Sequence, residues 1–155
     1  MAEVVARVEV AAPPQAVWDK LIDWPTHERW MLLTKVESTT EDEHGAGAGI
    51  VGVTGIGPVA VKDPMTVTAW QPPPAPVARC EVAHLGRIVR GAGAFEVEAT
   101  PSGSRVVWSE WVRLPFGLLG DVGWLAVRPV AAMFLRSSLR RLAKLVESEH
   151  GERRS

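Results

Sequence analysis

Polar and apolar positions alternate along most of the first 113 residues, and the period changes to a helical one only near the end. Val4, Ala6, Val8 and Val10 share one parity, while Glu3, Arg7 and Glu9 share the other. That alternation predicts a half-buried strand over 4–10. Ala11-Ala12-Pro13-Pro14 ends it, and Pro14 suits the first turn of a helix. A short helix is predicted over Gln15–Asp23, with Val17, Trp18, Leu21 and Ile22 on one side. Trp24-Pro25-Thr26 breaks it, and a second short helix or turn, His27–Met31, carries Trp30.

Six further strands are predicted between Gly, Pro and acidic punctuation: 35–41, 49–55, 65–71, 77–85, 87–100 and 105–113. Val51 and Val53 share a face on the third strand, and Met65, Val67 and Ala69 share one on the fourth, with Trp70 opposite. On the fifth, Ala78, Cys80, Val82 and His84 face one way and Arg79 and Glu81 the other. Phe95 and Val97 oppose Glu96 and Glu98 on the sixth, where Gly91 and Gly93 suggest a bend around the core. On the seventh, Val106, Trp108, Glu110 and Val112 oppose Arg105 and Arg113.

The period then becomes helical. With Phe134 at zero on a helical wheel, Ala131, Leu135, Ser138, Leu142 and Leu145 fall within roughly a third of the circumference, and Arg136, Arg140 and Lys144 fall opposite. Pro129 is expected in the first turn of this long helix, after a separate shorter helical piece around 122–127; one continuous helix kinked at Pro129 is the costlier alternative. Residues 151–155 are expected to form a flexible tail.

Short connections favour a meander. The predicted fold class is α+β: one curved seven-stranded antiparallel sheet wrapped around a long C-terminal helix, with two short helices between strands one and two. The chain has 155 residues, so one domain over 1–150 is expected. A net charge of −1 gives no field that draws the chain to nucleic acid. One cysteine, Cys80, excludes an internal disulfide framework and a cysteine-rich zinc site. The four histidines, His27, His44, His84 and His150, lack metal-ligand spacing, so neither metal nor cofactor is expected. The N-terminus has no secretory pattern and the apolar runs are short or interrupted. A cytoplasmic location without an integral membrane segment is therefore expected. Arg136, Arg140, Arg141 and Lys144 on the outer face of the last helix leave transient membrane contact open, but Glu147, Glu149 and the acidic turns offset them, and a solvated face is the plainer reading. The glycine-rich stretches 45–49 and 55–57 lack the ending of a phosphate loop and read as hairpin turns.

Four stretches carry a resemblance: Val8–Trp18, the Trp-Pro turn followed by Trp30, Arg105–Glu110, and Arg136–Leu142. Together they resemble the helix-grip superfamily, which includes START-related lipid-transfer domains, the birch-pollen allergen family and bacterial polyketide cyclase/dehydrase-like proteins. The resemblance implies a curved sheet enclosing a cavity for an apolar small molecule. It supplies no universal catalytic motif.

Parity alone places two ionisable side chains inside, His84 and Glu110. Their strands are separated by one other, so their backbones should lie roughly 10 Å apart, within reach of long side chains. They are candidates for a polar ligand anchor or an acid/base pair. The plain alternative is a rim carboxylate and a hydrogen-bonded core histidine. Around them, Trp30, Val53, Val67, Val82, Phe95, Trp108, Trp124, Phe134, Leu135, Ser138 and Leu142 are candidates to line the pocket, with Ser138 supplying a hydrogen bond. Three functions remain open: binding or transport of a hydrophobic small molecule such as a lipid or polyketide-like aromatic; a cofactor-independent cyclase or dehydratase using His84 and Glu110; and a protein-interaction domain with a filled cavity.

Overall fold

A computed structural model describes residues 2–155. Strand β1 (Ala2–Val10) leads into helix α1 (Pro14–Leu21), a 3-10 turn (Trp24–Thr26) and helix α2 (His27–Trp30). Strands β2 (Thr34–Ser38), β3 (Gly49–Thr54), β4 (Val61–Gln71), β5 (Val77–Leu85), β6 (Arg90–Thr100) and β7 (Gly103–Val112) follow, and helix α3 (Leu118–Arg154) closes the chain. All seven strands form one antiparallel sheet in the order β1-β7-β6-β5-β4-β3-β2. The meander from β2 to β7 is thus completed by β1 pairing with β7. This is the α+β arrangement that the alternation predicts, and the helix-grip architecture that the resemblance implies.

The sheet's outer face carries the charges. Arg79 contacts Glu81 at 2.7 Å and Glu96 at 3.2 Å, and Arg105 bridges Glu9 at 2.7 Å and Glu98 at 3.1 Å. These are pairs of opposite sign, each a small stabilisation on an exposed face. The inner face meets α1 and the second half of α3. Val17, Trp18, Leu21, Val97, Val106, Leu139 and Leu142 are essentially inaccessible to solvent. Burying a Leu or Val side chain contributes about 1.5–3 kcal/mol, so this layer is the main source of stability. Glu149 ties the far end of α3 to α1 through Lys20 at 2.7 Å.

The structure corrects the expected elements in four places. Helix α3 is continuous from Leu118, with Pro129 in its interior rather than in its first turn. Proline deprives the Leu125 carbonyl of its helical donor. Leu125, Val127 and Val130 are exposed, so water can replace that donor. The helix also continues through Arg154 instead of ending near residue 150. Strand β3 has the opposite parity from that expected: Ile50 and Gly52 are buried, and Val51 and Val53 face outward. Strand β4 is longer and starts before Asp63-Pro64. A bulge between Val67 and Ala69 then shifts its register, so Trp70 pairs with Cys80 and packs on Trp18 with ring centroids 5.2 Å apart.

Candidate functional site

Between the inner face of the sheet and the first half of α3 lies a cavity of about 260 Å³. Its walls are mostly apolar and include Met31, Ile50, Met65, Cys80, Val82, Phe95, Trp108, Trp124, Phe134 and Leu135. Phe95 and Trp108 pack with centroids 5.1 Å apart, and Phe134 crosses from α3 to meet Trp108 at 6.3 Å.

One wall is polar. His84 stands near the end of β5, flanked by Asp63 from β4 and Glu110 from β7. Its Nδ1–H donates to Asp63 Oδ2 at 2.8 Å and its Nε2–H donates to Glu110 Oε2 at 2.7 Å. Trp108 Nε1–H donates to Glu110 Oε1 at 2.8 Å, which fixes that carboxylate from its other side. Strand β6 lies between β5 and β7, and this chain of contacts crosses it. The crossing is possible because β6 presents glycines there: Gly91 pairs with His84, and Gly93 pairs with Glu110. Burial works to lower the His84 pKa, but hydrogen bonds and charge from Asp63 and Glu110 outweigh it and push the pKa up to about 10. The ring is therefore an imidazolium at neutral pH, held between two carboxylates. Asp63 Oδ1 is buried without a hydrogen-bond partner among the described residues.

A second polar group reaches the cavity from α2. His27 lies against Trp30, with centroids 4.7 Å apart, and its Nε2–H donates to the Leu21 carbonyl at 2.6 Å. Desolvation drives its pKa down to about 4, so the ring is neutral. That tautomer leaves Nδ1 as a bare acceptor, and no donor among the described residues meets it. Cys80 also faces the cavity, and burial pushes its thiol up to about 12. It is an inert part of the wall. No cluster of metal-ligating side chains is present among the described residues.

The sequence candidates divide. Val82, His84, Phe95, Trp108, Glu110, Trp124, Phe134 and Leu135 line the cavity. Trp30 does not; it is fully buried behind Phe95 and Trp108, at 6.0 and 6.2 Å. Val53 points to the outer face, and Ile50, Gly52 and Thr54 line the cavity instead. Val67 and Leu142 are core residues away from the cavity. Ser138 is buried as well, but its Oγ accepts from the Leu32 N–H at 3.3 Å, so it secures the turn after α2 rather than offering a group to a ligand. The sequence reading missed Asp63 and His27. Asp63 shares parity with Met65, which was the available signal, but Pro64 beside it reads as a strand terminator.

Comparison with known proteins agrees with this fold. The family model described as "Polyketide cyclase / dehydrase and lipid transport" matches residues 1–147, and the chain belongs to that family. Among solved structures, TTHA0849 of Thermus thermophilus superposes with a TM-score of 0.78 at 19% identity, covering 96% of this chain and 99% of that one. A Deinococcus radiodurans protein, DR_A0006, gives 0.68 at 16% identity over 96% and 99% of the two chains. A Thermobifida fusca protein gives 0.66 at 20% identity over 94% and 93%. At these identities the likeness shows the fold alone. A search of curated proteins finds no match.

Proposed function

We propose that the protein binds one largely apolar small molecule in the cavity, oriented by a hydroxyl or other hydrogen-bond donor at its polar end. The observation that carries this reading is the Asp63–His84–Glu110 chain set in an apolar wall, with Asp63 Oδ1 left without a partner among the described residues. A buried acceptor without a donor costs free energy, which a ligand donor recovers. Two carboxylates around one imidazolium also leave excess negative charge, which favours a donor and disfavours a ligand carboxylate. A cavity of about 150 Å³ holds benzene; 260 Å³ suits about two or three fused rings, or a compact lipid fragment.

Binding is favoured over turnover by the state of His84. Both its N–H groups are engaged by carboxylates, and a group with a pKa of about 10 is a poor general base near neutrality. A cyclase or dehydratase reading keeps one specific support: Asp63 lines the cavity beside His84 and has one carboxylate oxygen without a hydrogen-bond partner among the described residues. Native mass spectrometry of freshly purified protein separates the outcomes. Binding predicts a co-purifying apolar compound bearing a hydroxyl or amine, released unchanged on denaturation. A cavity that remains empty with every hydroxylated apolar probe contradicts it.

A further inference from the structure

The register places three connections on one edge of the sheet. Thr54 faces Val61 across the β3–β4 turn, and Leu85 faces Arg90 across the β5–β6 turn. The Arg113 N–H donates to the Arg90 carbonyl at 2.9 Å, bringing the exit of β7 to the same edge. The cavity reaches this edge, since Thr54, Val89 and Val112 are among its walls.

Each of these connections exposes large apolar side chains. Ile56 and Val59 project from the β3–β4 turn and Leu85 and Ile88 from the β5–β6 turn, all at least 61% exposed. Phe116, Leu118 and Leu119 stand about four-fifths exposed where β7 runs into α3, and Leu125 is exposed further along the helix. The most apolar 18-residue window of α3 has mean hydropathy 1.5, and only 6% of it is buried. This is the reverse of a core helix, whose apolar part is its buried part. The buried residues of α3 instead begin at Leu135, in its more charged half.

The same edge carries cations. Lys62, Arg87, Arg90, Arg113 and Arg128 lie on or beside this edge, and none enters an ion pair among the described residues. The nearby acids are Asp121, Glu3, which is held by the Trp111 N–H at 2.7 Å, and the inward Asp63 and Glu110, which are engaged by His84. At the opposite end of the sheet, the β2–β3 connection carries Glu41, Asp42 and Glu43. The cavity mouth thus combines unpaired cations with large exposed apolar side chains.

We propose that the mouth edge is a docking surface for an anionic lipid bilayer, into whose interface Ile56, Val59, Ile88, Leu118 and Leu119 insert while the arginines meet lipid phosphates. An amphipathic surface of this kind binds through buried apolar area together with electrostatic attraction. The helix lies on the membrane and does not cross it, because Trp124, Phe134 and Leu135 wall the cavity and α3 packs on β1. The bilayer is favoured over a second copy of the chain because several unpaired cations ring the patch, and two such patches would repel one another. The surface is independent of what the cavity holds, so it stands or falls apart from the ligand reading.

The test is sedimentation of the full chain with vesicles of phosphatidylcholine alone or mixed equally with phosphatidylglycerol. Binding at least tenfold tighter to the mixed vesicles, weakened by added salt, is the expected result. Ile88→Glu and Leu119→Glu, both at solvent-exposed positions, should each reduce it tenfold or more while circular dichroism stays unchanged. Arg87→Glu should weaken binding to the mixed vesicles alone. Absence of vesicle binding, or binding indifferent to these substitutions, overturns the proposal. So does a concentration-dependent dimer abolished by Leu119→Glu, which would show that a second copy covers the patch.

Discussion

The Glu110 carboxylate lies directly over Gly93: a methyl group added to that glycine would sit 2.7 Å from Oε1 and 3.0 Å from the carboxyl carbon. The glycine is what lets a β7 side chain lean across β6 to His84. The obstructed atoms are the end of a flexible side chain, so the carboxylate yields and the sheet does not. Gly93→Ala is expected to fold, with a stability loss of about 1–3 kcal/mol from the disturbed charged hydrogen bonds. It should detach Glu110 from His84. The check is an NMR titration of the His84 ring, whose pKa should fall well below the wild-type value; an unchanged titration with intact fold would contradict the assignment.

Glu110→Gln tests the same contact without steric change. The amide keeps an oxygen for Trp108 or His84 but loses the negative charge that favours the imidazolium. The His84 pKa should move down from about 10 toward its ordinary value, with Asp63 still supporting it. Because that pKa is raised in the folded state, His84 contributes stability fully present below about pH 6.5 and lost as pH rises through about 10. The wild type should therefore lose stability in alkali, and the variant should show a smaller loss in thermal melts across that window.

His27 titrates with the opposite sign. Its folded pKa of about 4 lies below the unfolded value of 6.5, so protonation favours the unfolded chain. Stability associated with it is present above pH 6.5 and declines as pH falls toward 4. The full effect is about 3 kcal/mol, from roughly 1.36 kcal/mol per pKa unit. Thermal melts between pH 7 and 4 should show this decline, and His27→Gln should flatten it.

Ser138→Ala should be destabilising by about 1–2 kcal/mol, because it leaves the Leu32 N–H without its acceptor in a part-buried site. Ligand affinity should stay within about twofold of wild type, since Ser138 does not reach the cavity. Parallel melting and binding curves check both halves.

How far the sequence could be read follows from these same residues. On β5 and β7 polarity and orientation agree, and no bulge interrupts either strand's pairing with β6, so counting by twos put His84 and Glu110 inside together. On β3 the two disagree. Its outward positions are Val51 and Val53 and its inward ones include Gly52 and Thr54, so hydrophobicity pointed the wrong way. On β4 the bulge near Thr68 reverses the parity of Trp70, and nothing in the local pattern marks it. Depth is the other missing quantity. Trp30, Ser138 and Leu142 do face inward, but a periodicity records only the face and not whether another layer intervenes. Trp30 stands behind Phe95 and Trp108, and Ser138 behind the Leu32 turn. Pro129 misled for an energetic reason: a proline inside a helix costs a hydrogen bond, but the helix around it is exposed, with Leu125 71% accessible, so water can serve the freed carbonyl.

Asp63 Oδ1 is the acceptor proposed for the donor of an apolar ligand. The direct measurement is a Trp-fluorescence titration comparing 1-naphthol with 1-methylnaphthalene, which differ in the hydroxyl, on the wild type and on Asp63→Ala. The naphthol is expected to bind the wild type about tenfold more tightly, matching one charge-assisted hydrogen bond of about 1.5 kcal/mol, and this preference should disappear in the variant. Equal affinities for the two compounds in the wild type, or a preference that survives in Asp63→Ala, would contradict it.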